Sequence, residues 1–186
     1  INKRLERSQA VKDINIKKVI IAAIIALILL FSGNYLITDY RVDRQLEKQL
    51  TELSQIKEVK IEQEEEYQLD IFLVDIEDLR TVNLEVRKKI SDILNTDNYS
   101  LIFRGKESIN LKQIYNKINL ALYESLVTGK YTKFGSEVDK YREQYNLQKA
   151  EVKVDHNYIY LTLADDKGAI YKVLTRSKNK VGDKNG

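Results

Sequence analysis

Cysteine, proline, methionine and tryptophan are all missing from this 186-residue chain. Without Cys there is no disulfide, no thiolate metal ligand and no lipid-modified Cys to act as an anchor. The fold therefore has to be held by packing. Histidine is nearly absent, and a single imidazole, His156 in Asp155-His156-Asn157, reads as a turn residue, because no GxSxG elbow nominates a nucleophile for it. Glycine is scarce at seven residues, and Gly129 and Gly135 fit neither a phosphate loop nor a dinucleotide turn. The four glutamates Glu62, Glu64, Glu65 and Glu66 lack the spaced oxygen ligands and turning glycine of a calcium loop, so they read as a solvated tip. Asp165-Asp166-Lys167-Gly168 reads as a hairpin turn. Glu124 with Asp139 or Glu143 makes the kind of acid/base pair any acidic surface offers. We expect no enzyme, no cofactor and no metal site.

A strong excess of one charge is also lacking: the chain totals +3 with a pI near 8.8. That small excess belongs to the ends. Residues 1–18 carry six basic residues against Glu6 and Asp13, the last eleven residues carry a further +3, and residues 19–175 come to −4. No basic stripe faces a phosphate backbone, and no helix-turn-helix, zinc-finger or ribonucleoprotein signature occurs, so nucleic acid is not an expected partner. Ile, Lys, Asn and Tyr are abundant and all have A/T-rich codons, which points to a low-GC bacterial genome.

What is present begins with thirteen consecutive apolar residues, Val19 to Phe31, directly after Lys17-Lys18. The stretch without formal charge continues through Thr38, 20 residues, which as a helix at ~1.5 Å per residue spans about the 30 Å hydrocarbon core of a bilayer. A cleaved secretory signal is the nearest rival, but a cut after Gly33 puts Phe31 at the third position before it, and a cut after Ser32 puts Leu30 there. A buried core helix is the second rival. The expectation is an uncleaved single span at 19–38 in contact with the lipid bilayer, with the basic tail 1–18 cytoplasmic and the remainder extracytoplasmic.

Beyond the span, Val42, Leu46, Leu50, Leu53 and Ile56 recur at helical spacing over 39–56. They form either a short juxtamembrane stalk with a partner face, and hence a possible homo-oligomer, or a helix packed on its own domain. Residues 57–175 are long enough for one domain. Glu58–Gln63 and Tyr67–Val74 alternate as a hairpin; a helix follows near Asp78–Asn95, then a short strand Tyr99–Phe103. Ser108 caps a long helix that ends at Gly129, and Ser136 with Asp139 starts another. Lys149–Asp155, Tyr158–Ala164 and Ala169–Thr175 make a three-stranded meander, and residues 176–186 a disordered basic tail. The expected fold class is α+β: a transmembrane helix, an amphipathic stalk helix, then a single domain of mainly antiparallel sheet, β-β-α-β-α-α-β-β-β, with helices on one face.

Tyr158 and Tyr160 share a strand face, with Tyr171 on the next strand. If the aliphatic face is the core, these three tyrosines form an exposed candidate binding surface; the opposite assignment buries them. The layout suggests a single-pass envelope protein whose outer domain is a structural or assembly module for an envelope protein partner. The alternative is a sensor or ligand-binding domain for a peptide or glycan.

Overall fold

A computed structural model describes residues 16–63, 66–94, 96 and 98–176, and for residues 16–18 and 28–40 the backbone only. Ten elements follow in order: α1 (Ile16–Thr51), β1 (Ile56–Gln63), β2 (Tyr67–Leu73), α2 (Leu79–Leu94), β3 (Tyr99–Arg104), α3 (Ile109–Thr128), α4 (Tyr131–Tyr145), β4 (Lys149–Val154), β5 (Tyr158–Ala164) and β6 (Ala169–Thr175). The chain divides into two units, Ile1–Val42 and Asp43–Gly186.

In the first unit, Val19, Ile20, Ile21, Ile24, Ile25 and Leu27 are all about half exposed along α1. Among the described residues no helix is long and apolar enough to cross a membrane. The side chains of residues 28–38, the second part of the expected span, lie outside the described residues, as do the tail 1–15 and the segment 177–186.

The second unit starts with the last turns of α1. Leu46 and Leu50 are fully buried and Leu53 is half-buried. The helix stops at Thr51, whose hydroxyl bonds back to the carbonyls of Glu47 and Lys48, and two tight turns (Leu53 N–H to Leu50 O, Ile56 N–H to Leu53 O) reverse the chain. Ile56 is therefore the first residue of a strand and not the end of a stalk. The expected stalk over 39–56 is corrected accordingly: Leu46, Leu50 and Ile56 are core residues of the domain, while Val42 and Leu53 are half-buried.

The element order agrees with the expected β-β-α-β-α-α-β-β-β, but the single sheet does not. The described residues form two three-stranded sheets, β1-β2-β3 and β4-β5-β6. In the first, β1 runs antiparallel to β2 from Gln63↔Tyr67 to a bulge between Ile56 and Glu58, while β2 and β3 are parallel from Tyr67↔Tyr99 to Phe72↔Arg104. A parallel pair needs a crossover, and α2 supplies it. Asp78 launches α2, accepting from the Arg80 N–H at 3.0 Å and the Thr81 hydroxyl at 3.0 Å.

Helices also cover both faces of the second sheet rather than one. Leu111, Ile114, Ile118 and Leu122 of α3 and Phe134 and Val138 of α4 pack on Ile159, Leu161, Leu163 and Ile170. Tyr160, on the other face of β5, bonds to Asn83 of α2. This is possible because β5 (YIYLTLA) has no charged residue, and five of its seven side chains are buried in a row. Both ends of α3 rest on local signals: at its start the Ser108 hydroxyl accepts from the Leu111 N–H at 3.1 Å, and at the turn into α4 Gly129 takes the left-handed conformation (φ 70°) that leaves its N–H bonded to Ser125 O. The two sheets meet where β3 ends and β6 begins, through a hydrogen bond from Ala169 N–H to Lys106 O at 2.9 Å.

Candidate functional site

The tyrosines expected on a surface lie largely inside. Tyr160 is 2% and Tyr171 3% exposed, and Tyr158 is half-buried. The Tyr160 hydroxyl donates to Asp155 Oδ2 at 2.6 Å and accepts from Asn83 Nδ2 at 3.3 Å. Asp155 also accepts the N–H groups of Asn157 and Tyr158, both at 2.8 Å, and faces Arg80 at 3.6 Å. Arg87, held by Asn83 Oδ1 at 3.0 Å, lies over the rings of Tyr158 (4.4 Å) and Tyr99 (5.6 Å). Burial opposes ionisation of Asp155, but the Tyr160 hydroxyl, the two N–H groups and Arg80 hold its carboxyl below the usual carboxylate range. Burial first, and then this carboxylate, pushes the Tyr160 phenol up. The cluster is thus a fastener between α2 and β5. Tyr171 donates to Val74 O at 3.3 Å, and burial together with Asp75 pushes its phenol up to about 12.

The other expected residues fall in ordinary places. His156 is exposed in the β4–β5 turn. Asp165 accepts from the N–H groups of Lys167 and Gly168, both at 2.9 Å, and from Ser108 Oγ at 2.6 Å, so it closes the β5–β6 turn and ties it to the start of α3. Glu124 faces Lys133, whereas Asp139 lines a groove between α4 and β4, so the two do not share a cleft. Among the described residues no group of three or more His, Asp or Glu is placed to hold a metal ion.

Besides that α4–β4 groove, which has a similar volume of about 300 Å³, two features among the described residues have room for a ligand or a partner. One is an open cleft of about 300 Å³ at the carboxyl ends of β2 and β3, where the sheets meet. Asp75, Lys106, Gln148, Asp166 and Tyr171 line it, together with Gly105 and Gly168. A Cβ on Gly168 would collide with the carbonyl oxygen of Lys106, and one on Gly105 with that of Ala169. The volume is at the lower bound for small-molecule sites, and it lies where parallel strands present their ends.

The second feature is the outer side of α3. Leu120 is 79%, Tyr123 52% and Val127 76% exposed, spaced 3 and 4 apart so that they form one stripe, and Ile109 at the start of the helix is 79% exposed. Monomeric domains rarely leave several large apolar side chains together in water. The inward stripe alone satisfies the 3.6-residue period of α3, so that period does not disclose the outward one. Its signal is in the segment Leu120–Val127 (LALYESLV), which is apolar on more than one side.

Comparisons with family models, with curated proteins and with solved structures found no match.

Proposed function

We propose that this is a single-pass, membrane-anchored protein of a bacterial envelope whose domain beyond the span is a structural or assembly module that binds other proteins. The observation that carries the reading is the exposed stripe Leu120, Tyr123 and Val127 on a helix whose opposite side is already packed. An apolar stripe left in water costs solubility and is a common mark of a protein interface. The anchor is supported by the uncharged run 19–38, by the half-exposed apolar side chains from Val19 to Leu27, and by the charge step at Lys17-Lys18, which puts the domain outside.

Replacing Leu120, Tyr123 and Val127 together by Ser tests the module. The variant should keep its helical circular dichroism and its membrane fraction and lose co-purification of its envelope partner; unchanged co-purification would overturn the reading. A second reading, a binding domain for a peptide or glycan, is favoured by the cleft beside Tyr171. Gln148→Trp would fill that cleft and should weaken binding of cell-wall fragments; an unaltered isotherm counts against it.

A further inference from the structure

The outward stripe of α3 has the spacing and the charges of a helix built to pair with itself. Asn116, Leu120, Tyr123 and Val127 are all exposed and recur at steps of 4, 3 and 4, the seam period of two packed helices. The inward set, Leu111, Ile114, Ile118, Leu122 and Ser125, lies opposite and is fully used. Lys117 and Glu124 are exposed, opposite in charge and seven residues apart, so they stand on the same border of the seam. Lys117 donates to the Tyr145 hydroxyl at 2.7 Å and Glu124 faces Lys133 at 4.0 Å, which identifies that border as the one beside α4.

We infer that the stripe docks on the same stripe of a second copy of this chain, with the two α3 helices antiparallel about a two-fold axis near Ala121–Leu122. The inference rests on the interaction-module reading and names its partner. In this arrangement Leu120 meets Tyr123 of the second copy, Asn116 meets Val127, and Lys117 lies beside Glu124, twice over by symmetry. Charge decides the direction. A parallel pair would set Lys112 of one helix against Lys117 of the other, two like charges, and would leave both Glu124 side chains without a basic partner across the seam. The seam is short, twelve residues or about 18 Å of helix, so the dimer belongs to the small, reversible class of interfaces. Two chains anchored in one membrane meet at a raised effective concentration, which suits a weak interface.

The chain has no Cys, so engineered thiols report without background. Full-length Asn116→Cys and Val127→Cys proteins in detergent micelles are oxidised separately and as a mixture. The antiparallel seam predicts a disulfide between the two different variants. It predicts little between identical ones, whose equivalent positions are about 16 Å apart along the seam. Leu120→Lys should weaken the dimer by at least about tenfold. Lys117→Glu should cut crosslinking several-fold, and Lys117→Glu with Glu124→Lys should restore it, which no loss of folding would do. Equal yields in separate and mixed samples, or none in either, overturn the inference. If purified protein stays monomeric while a Leu120-dependent adduct to a different protein forms in cells, self-docking fails and the module reading stands. If both are lost, both fail.

Discussion

Tyr160→Phe removes one oxygen from the fastener between α2 and β5 and keeps the ring. The lost bond to Asp155 is 2.6 Å with a charged acceptor, a type that contributes about 1.5–3 kcal/mol. Removal also strips Asn83, which is fully buried, of the acceptor for its amide, although that 3.3 Å bond is the weaker one. Against this, Asp155 keeps two backbone N–H bonds and Arg80, so the ~3–5 kcal/mol of an abandoned buried charge does not apply. The expected loss is about 2–3 kcal/mol, or a Tm lower by roughly 6–12 °C for a domain of this size. With no Trp in the chain, tyrosine fluorescence or circular dichroism of the full-length protein in micelles follows the melt. The same change should raise the acid midpoint, because the phenol is the first group that holds the Asp155 carboxyl low. A loss under about 0.5 kcal/mol with an unmoved acid midpoint would refute the claim that this network fastens the helix to the strand.

Leu122→Ala, on the inner side of α3, should cost about 2–5 kcal/mol, while Leu120→Ala, two residues away on the outer side, should cost under about 0.5, measured by the same melts. Gly168→Ala drives a methyl group into the Lys106 carbonyl where the sheets meet and should cost about 1–3 kcal/mol by denaturant titration. Asp78, Asp155 and Asp165 all sit low despite burial, because of their hydrogen bonds to Lys153, Tyr160 and Ser108 respectively, with backbone N–H groups adding to each. A depressed carboxyl contributes stability that is complete above its unfolded value, near 4, and is lost as pH falls through the folded value, so melts should be level from pH 7 to 5 and drop below about 4. Tyr171 shifts the other way: its raised phenol contributes stability that is complete below about pH 10 and is lost as pH rises toward 12, which spectrophotometric titration of tyrosinate ionisation can follow.

The element order was legible because each segment carries its own period and its own stops. Ser108 and Gly129 bracket α3 as caps should, and the meander is punctuated by Asp155-His156-Asn157 and Asp165–Gly168. What the residues did not disclose are relations between segments. That β2 and β3 are parallel depends on which edge the crossover α2 returns to, and the split into two sheets depends on the seam at Lys106 and Ala169. The buried face of β5 was ambiguous because both faces are buried: its uncharged sequence fits a central strand as well as an alternating one. The helix expected from Ser136 begins at Tyr131, immediately after the Gly129 reversal, with Gly135 inside it and no side-chain cap. The stripe from Leu46 to Ile56 matched a helix in spacing, yet the chain turns at Thr51 and delivers Ile56 to the same core from a strand. Spacing alone does not separate these.

The outer side of α3 is the surface proposed to meet another protein. A photo-crosslinking residue placed at Leu120 in intact cells tests it, with one at Lys88, exposed on α2, as the control. A discrete adduct is expected at Leu120, of twice the chain's mass if the partner is a second copy, and none at Lys88. Equal labelling at both positions, or none at Leu120, would contradict it.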